Sequence, residues 1–264
     1  MSSGERVVTR GIVLRSTETK EADNILTVLT AERGKVPVVA RGARRKTSKI
    51  AAATDLLAFS ELVLYERHGW LMLSEASTIA LFDGIRQDVE LLSLASYFAE
   101  MTEFLTVENV PAGEVLSLLL NSLYALDTLK KPQELVKSVF ELKLLSLSGY
   151  EPLLDACAVC GAEDIAEPVF DAREGTVLCR KCAGSAGGAT LSPGSLAAMR
   201  HIVAAPNRKL CSFALSGEAQ KHLSAACEVF AETQLEHHFR TLDFYKSLRQ
   251  DSPAAGNQIN GENK

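Results

Sequence analysis

Long apolar runs and aromatic side chains are both scarce in this sequence. No stretch of its 264 residues approaches the ~18 consecutive apolar residues of a membrane span. The first residues, MSSGERVVTRG, lack the apolar core of a secretory signal. Aromatic residues make up 6% of the chain and include one tryptophan. The sequence therefore predicts a cytoplasmic protein with no membrane partner and few side chains for stacking.

Short motifs of common enzyme classes are also missing. The sequence contains no HExxH or HxE metal motif, no GxxxxGK[ST] phosphate loop and no GxSxG nucleophile elbow. Each of these motifs supplies a nucleophile, a general base or a phosphate cradle at a fixed spacing. We therefore expect no catalytic residue, and a zinc-dependent hydrolase is the less favoured alternative.

Positive charge is concentrated in one part of the chain. Lys and Arg total 28 against 33 Asp and Glu, which gives a formal net charge of −5. Residues 1–80 nevertheless carry a net charge of +3, whereas residues 81–264 carry −8. The first part can therefore attract phosphate groups while the remainder repels them.

Residues 1–80 predict a small β-barrel. Strand-like segments separated by turn residues are expected at 11–14, 25–30, 36–40, 61–66 and 70–74. One or two helical turns are expected between Lys49 and Leu57. Five strands with a helix before the fourth match the order of an OB-fold, although an SH3-like barrel or a small sandwich has a similar strand count.

Residues 81–250 predict a helical domain, which makes the chain α+β. Apolar residues recur at helical spacing, and Pro111 and Pro132 are expected just inside the second and third helices. The helical patterns cover 91–105, 116–126, 136–147, 193–204 and 217–250, the last one split or bent. Residues 251–264 have too few apolar side chains to bury and predict a disordered tail.

Four of the six cysteines form two CxxC pairs within the helical domain: Cys157 with Cys160, and Cys179 with Cys182. Two such pairs supply the tetrahedron of thiolates that Zn²⁺ prefers. Strands expected at 169–171 and 176–178 would bring the pairs together, so residues 155–185 predict an inserted zinc ribbon. Four thiolates fill the coordination shell, which favours structural over catalytic zinc. Cys211 and Cys227 are expected to be small buried hydrophobes.

The segment from Arg41 to Lys49, RGARRKTSK, carries five positive charges and no acidic residue. Its glycine and hydroxyl residues favour phosphate contacts, and a solvated surface loop is the alternative. Base stacking would depend on Tyr65 or Trp70. With two preceding cations, one edge of the barrel is expected to carry seven candidate phosphate-binding residues: Arg33, Lys35, Arg41, Arg44, Arg45, Lys46 and Lys49.

Longer motifs resemble those of the bacterial DNA repair protein RecO family, over nearly all of the chain up to about Gln250. They are GIVLRS (11–16), DNIL (23–26), ARGARRKTS (40–48), FELKLLSLSGYEP (140–152), the two CxxC pairs and LEHHFRTLDFYKSL (235–248). The resemblance implies an N-terminal OB-fold followed by a helical bundle with an embedded zinc ribbon, and it assigns the basic barrel residues to DNA.

The resemblance also implies a function. Members of this family are non-enzymatic recombination mediators that bind single- and double-stranded DNA, anneal complementary strands and help to load RecA. RecR and the acidic C-terminal tail of single-strand-binding protein are the implied partners, in a nucleoid-associated location. Lys137, and more weakly Lys143, are the candidates for contact with that tail. The residues alone leave open another OB-fold and zinc-ribbon factor that binds RNA in transcription or translation.

Overall fold

The computed structural model describes residues 6–19, 22–184 and 187–251. Its first part is a closed barrel of five strands in the order β1-β2-β3-β5-β4. β3 and β5 pair in parallel, and β1 closes the barrel by pairing with β4. This is the strand order of the OB-fold, so the predicted barrel is confirmed. The strands are β1 (Arg6–Thr19), β2 (Asp23–Thr30), β3 (Gly34–Ala40), β4 (Phe59–Arg67) and β5 (Trp70–Ala80).

The long first strand serves two sides of the barrel. Its first half, from Arg6 to Ile12, pairs with β4, and its second half pairs with β2. An irregularity between Val13 and Arg15 shifts the register where the strand turns from one partner to the other. At the crossing point, a Cβ on Gly11 would lie 2.5 Å from Val28 Cγ1, so only glycine fits there. Between β3 and β4, the expected helical turn is the short 3₁₀ segment Ala52–Thr54.

The second part of the chain is helical, as expected. The long helix α4 is its centre, because every residue from Leu135 to Leu145 is buried. Pro111 and Pro132 precede their helices rather than lying inside them. The long C-terminal pattern is split, as predicted, where Glu236 adopts a φ of 46°. The helices are α1 (Asp83–Arg86), α2 (Val89–Leu105), α3 (Gly113–Asp127), α4 (Gln133–Leu147), α5 (Arg180–Ala183), α6 (Pro193–Ala204), α7 (Gly217–Leu235) and α8 (Arg240–Asp251).

The inserted module between α4 and α6 is a three-stranded sheet in the order β7-β6-β8. Its strands are β6 (Pro168–Asp171), β7 (Thr176–Cys179) and β8 (Ala189–Thr190). The expected hairpin is confirmed, whereas β8 is too short to be seen in the sequence. Phe170 packs edge-on against Phe230 of α7 at 5.2 Å, which fixes the module to the bundle.

The barrel and the bundle share one apolar core. Ile12, Leu29 and Leu57 on the outside of the barrel belong to the same buried cluster as the helices, while a separate cluster fills the barrel interior. Gly34, at the start of β3, has a φ of +58°, and a Cβ there would lie 2.4 Å from the carbonyl oxygens of Val107 and Val110. The segment between α2 and α3 thus closes tightly on the barrel.

The predicted domain limits, 1–80 and 81–250 with the ribbon at 155–185, stay predictions. The tail predicted at 251–264 lies outside the described residues except for the backbone of Asp251. Among the described helices, none combines the length and the apolar composition that crossing a membrane requires.

Candidate nucleic-acid interface and metal centre

The basic segment 41–49 forms a fastened loop at the end of β3. The Asp23 carboxylate accepts a hydrogen bond from the Gly42 N–H at 2.8 Å, and Arg44 N–H donates to the Ala22 carbonyl at 3.1 Å. Ala43 is buried inside the barrel end, with 2% of its surface exposed. These contacts fix the path of the backbone, so the cationic side chains project from a fixed base.

The cations of this loop are exposed and mostly unpaired. Arg44 bonds to Glu18 at 2.6 Å. Within the part of the chain that the structure describes, Arg41, Arg45, Lys46 and Lys49 have no ion pair or side-chain hydrogen bond. Because no fixed acid neutralises them, these four charges are available to an anion from solvent.

Arg33 and Lys35 do not share this edge. They lie at the start of β3, whereas the loop follows its last residue, Ala40. Arg33 donates to the Asn109 side chain at 3.2 Å, and the Lys35 ammonium donates to the Glu103 carbonyl at 2.6 Å. The expectation of seven charges on one edge is therefore wrong, because two of them tie the barrel to the bundle.

The aromatic side chains of the barrel also differ in exposure. Trp70, the first residue of β5, is 50% exposed, while Phe59 is half-buried against the shared core. Tyr65 on β4 is half-buried. Trp70 is therefore the best placed of the three for stacking.

Sequence reasoning missed Asp23 as the residue that fastens the basic loop, because the hydrogen bond joins positions 19 residues apart.

The four paired cysteines converge on one point. The sulfur atoms of Cys157, Cys160, Cys179 and Cys182 all lie within 4.8 Å of one another. Sulfurs at ~2.3 Å from a central Zn²⁺ lie about 3.8 Å apart in a tetrahedron, and Cys160 Sγ and Cys179 Sγ are 3.9 Å apart. The set could therefore hold a metal ion with little movement.

Backbone groups prepare this cluster for a cation. The N–H groups of Cys160 and Cys179 hydrogen-bond to the Cys157 sulfur and lower the pKa of that thiol to about 6. Hydrogen bonds with Cys179 and Cys160 raise the pKa of Cys182 to about 12. The Cys157 thiolate therefore forms readily, whereas loss of the Cys182 proton is costly until a cation compensates the charge.

The other two cysteines lie elsewhere. Cys227 is fully buried in the bundle, as expected, and burial raises its pKa. Cys211 is half-buried against the core, and burial raises its pKa to about 11. Both thiols therefore stay protonated and uncharged near neutral pH, so these two cysteines behave as small apolar residues.

Lys137 is buried rather than exposed, and it lies at the centre of an ion network between helices. Its ammonium bonds to Glu141 at 2.8 Å and to Glu228 of α7 at 2.7 Å. Burial alone would lower the pKa of Lys137, but attraction to both carboxylates outweighs it and raises the pKa. Tyr97 of α2 donates to Glu141 at 2.9 Å, and Lys246 of α8 pairs with Glu228.

Lys143, the second candidate, is also nearly buried. Its ammonium donates to the Val203 carbonyl at 2.6 Å, and burial lowers its pKa. Neither Lys137 nor Lys143 is an exposed helix lysine. Their role in binding a partner stays a prediction.

No sequence pattern predicts the contact of Lys137 with Glu228, because 91 residues separate them.

Comparison with known proteins covers both parts of the chain. The family model described as Recombination protein O N terminal matches residues 1–82, and the one described as Recombination protein O C terminal matches residues 86–243. The DNA repair protein RecO of Acetivibrio thermocellus is 35% identical over 242 residues, which are 91% of this chain and 96% of that protein.

Two further relatives match the chain at similar identity and over a similar share of its length. The DNA repair protein RecO of Symbiobacterium thermophilum is 33% identical over 247 residues, covering 90% of this chain and 96% of its own. That of Anaeromyxobacter dehalogenans is 35% identical over 257 residues, covering 96% of this chain and 99% of its own. The matches span the barrel, the inserted module and the bundle. This chain belongs to the RecO family of DNA repair and recombination proteins.

Proposed function

We propose that this protein is a non-enzymatic recombination mediator whose barrel loop binds the phosphates of DNA. The observation that carries the proposal is the fastened loop 41–49, with four exposed cations that no described acid neutralises. Ionic contacts with phosphates recognise any sequence, which suits a protein that acts wherever single strands are exposed. Arg33 and Lys35 stay proposed DNA contacts of lesser weight, since both are engaged with the bundle.

The finer activities follow from such binding. A protein that screens phosphate repulsion on two single strands lowers the barrier to their pairing, which supports annealing. We infer that the bundle receives the protein partners, namely RecR and the tail of single-strand-binding protein, and that RecA loading follows from these contacts. The division into a DNA-binding domain at 1–80 and a helical domain at 81–250 is part of this proposal, as is a location with the nucleoid.

Lys137 and Lys143 remain the proposed contacts for the acidic tail. Lys137 lines a cleft of about 290 Å³ together with Lys246 and Arg249, and the carboxylates of Glu134 and Glu228, which pair with these cations, line the same cleft. Because Glu228 already occupies the ammonium of Lys137, an incoming carboxylate has to displace that side chain.

We also propose that the cysteine cluster holds a structural Zn²⁺. Cys157, Cys160, Cys179 and Cys182 would be its ligands, and bound zinc would hold the two CxxC turns together. All four ligands come from the protein, which leaves no open position for catalysis.

The test is binding to single-stranded DNA across a salt series. The triple variant Arg45→Gln, Lys46→Gln, Lys49→Gln is compared with wild type and with a control, Arg208→Gln, Lys209→Gln, Lys221→Gln, that removes three exposed charges from the bundle. If the loop binds phosphates, the log–log salt slope of the loop variant falls by about 2 units, at ~0.7 per lost contact. The control keeps the wild-type slope.

Other outcomes would contradict the proposal. An unchanged slope in the loop variant would place DNA elsewhere on the molecule. Tighter binding to RNA of matched sequence would favour an RNA-binding factor, and absence of binding to any nucleic acid would leave a role in partner docking alone.

A further inference from the structure

A cleft opens beside the basic loop, at the barrel end where the β4–β5 hairpin turns. Its volume is about 290 Å³, which is large enough for a nucleobase. Half-buried Ile25 and Val39 supply an apolar wall, and Trp70 lines the cleft while remaining 50% exposed. The cleft therefore combines an apolar wall with an aromatic side chain that solvent can reach.

Two arginines line the same cleft. Arg41 is the first residue of the basic loop, and Arg67 is the last residue of β4. Both are exposed, and neither forms an ion pair or a side-chain hydrogen bond with another described residue. Arg41 thus belongs both to the basic loop and to the lining of the cleft, which places the cleft directly beside the proposed phosphate contacts.

Asp23 adds a negative group at this position. Its Oδ1 accepts from the Gly42 N–H at 2.8 Å, and no described residue donates to Oδ2. A carboxylate here repels a phosphate from the interior of the cleft and accepts hydrogen bonds from base N–H groups. The charges therefore favour a nucleotide whose base lies beside Asp23 and Trp70 and whose phosphate lies beside the arginines.

We propose that this base cleft takes one unstacked nucleobase of single-stranded DNA, held against Trp70, with Arg41 and Arg67 on the adjoining phosphates. The proposal rests on the proposed function, because it presumes that DNA binds the loop. It adds that the site distinguishes strands. A base paired within a duplex is stacked between its neighbours and cannot enter, so duplex DNA contacts the basic loop alone.

The fluorescence of the protein reports on the cleft directly, because Trp70 is its single tryptophan. Wild-type protein is titrated with three DNAs of about 15 nucleotides, a length that an OB-fold can cover. They are oligo(dT), an oligomer of the same length with abasic sites in place of bases, and a hairpin duplex. Binding is followed separately by the anisotropy of labelled oligomers, and tryptophan emission is measured with unlabelled ones.

We expect oligo(dT) to quench the emission, whereas the abasic oligomer and the duplex bind without quenching. Trp70→Ala should weaken oligo(dT) binding by about 5- to 150-fold, the range of base–aromatic stacking, and leave abasic binding unchanged. Tyr124→Ala, which removes a 49% exposed aromatic from the bundle, is the matched control and should keep wild-type affinity.

Three results would overturn the base cleft. They are unchanged emission once anisotropy shows saturation with oligo(dT), equal quenching by the abasic oligomer, and an equal loss of affinity for both oligomers in Trp70→Ala. In each case the loop can still bind DNA, so the proposed function survives. If anisotropy detects no binding of any oligomer, the proposed function fails together with this inference.

Discussion

The basic loop of the barrel and the centre of the bundle contain the same kinds of charged residue in opposite surroundings. Lys46 is exposed and has no partner among the described residues, whereas Lys137 is 3% exposed and bonds to two carboxylates. The first can exchange water for an external anion at little cost. The second has lost its water and depends on fixed partners. Burial and partners, rather than residue type, therefore decide whether a lysine is available for binding.

The cysteine cluster extends this comparison to charges that the proposed zinc would compensate, and it gives the largest expected effect. If zinc is bound as proposed, Cys157→Ser should lose the metal and much of the stability of the inserted module, because structural zinc contributes ~10 kcal/mol or more of binding free energy to folding. The measurements are metal content per chain and thermal unfolding. Cys211→Ser, outside the cluster, is the control. A folded Cys157→Ser variant with unchanged zinc content would contradict the ligand assignment.

The next effect separates the two lysines. Lys137→Ala leaves Glu141 buried without its counter-ion and should lower the free energy of unfolding by about 3–5 kcal/mol. Lys46→Ala, the same change on the loop, should stay within about 0.5 kcal/mol of wild type. Denaturant unfolding measures both. If Lys137→Ala does not fold, Lys137→Met combined with Glu141→Leu tests the same idea, because an apolar pair should restore folding. Equal losses of unfolding free energy in Lys137→Ala and Lys46→Ala would contradict the distinction between a buried, paired lysine and an exposed one.

The smallest effect is the dependence of stability on pH. Lys137 and Lys246 hold the pKa of Glu228 below its ordinary value of 4.5, although burial opposes them. A carboxyl group with a lowered pKa stabilises the fold above pH 4.5, and that contribution is lost as the pH falls through the folded-state pKa. The stability difference between wild type and Glu228→Gln should therefore be largest near neutral pH and shrink in acid. A difference that grows as the pH falls would show that this carboxylate is not held by its lysines.

Features encoded by neighbouring residues could be predicted from the sequence. The apolar period from Leu91 to Leu105 predicts helix α2, and the CxxC spacing predicts the cysteine cluster, because a helix face and a pair of neighbouring thiols are both formed within a few residues. The cations of the 41–49 loop could be identified for the same reason.

Features that join distant segments could not be predicted. The contact of Lys35 with Glu103 and that of Lys137 with Glu228 depend on how the barrel and helices pack, and no local pattern records it. In both contacts, a lysine that the sequence offers as a binding cation is bonded within the protein. Membership of the family indicates a role in DNA repair and recombination, and the packing shows which cations are bonded within the protein.

The packing of the C-terminal helix α8 against the early helix α2 has a consequence for the order of folding. Helix α8 packs on α2, where Thr241 bonds to Glu100 across 141 residues of sequence. During synthesis, α2 and α4 emerge long before α7 and α8, so the apolar faces of α2 and α4 stay exposed until the later helices have been synthesised. The barrel can close early from strands near in sequence, while the bundle is completed by the last segment. Truncation before α8 should therefore leave a chain that folds its barrel and aggregates through its helices.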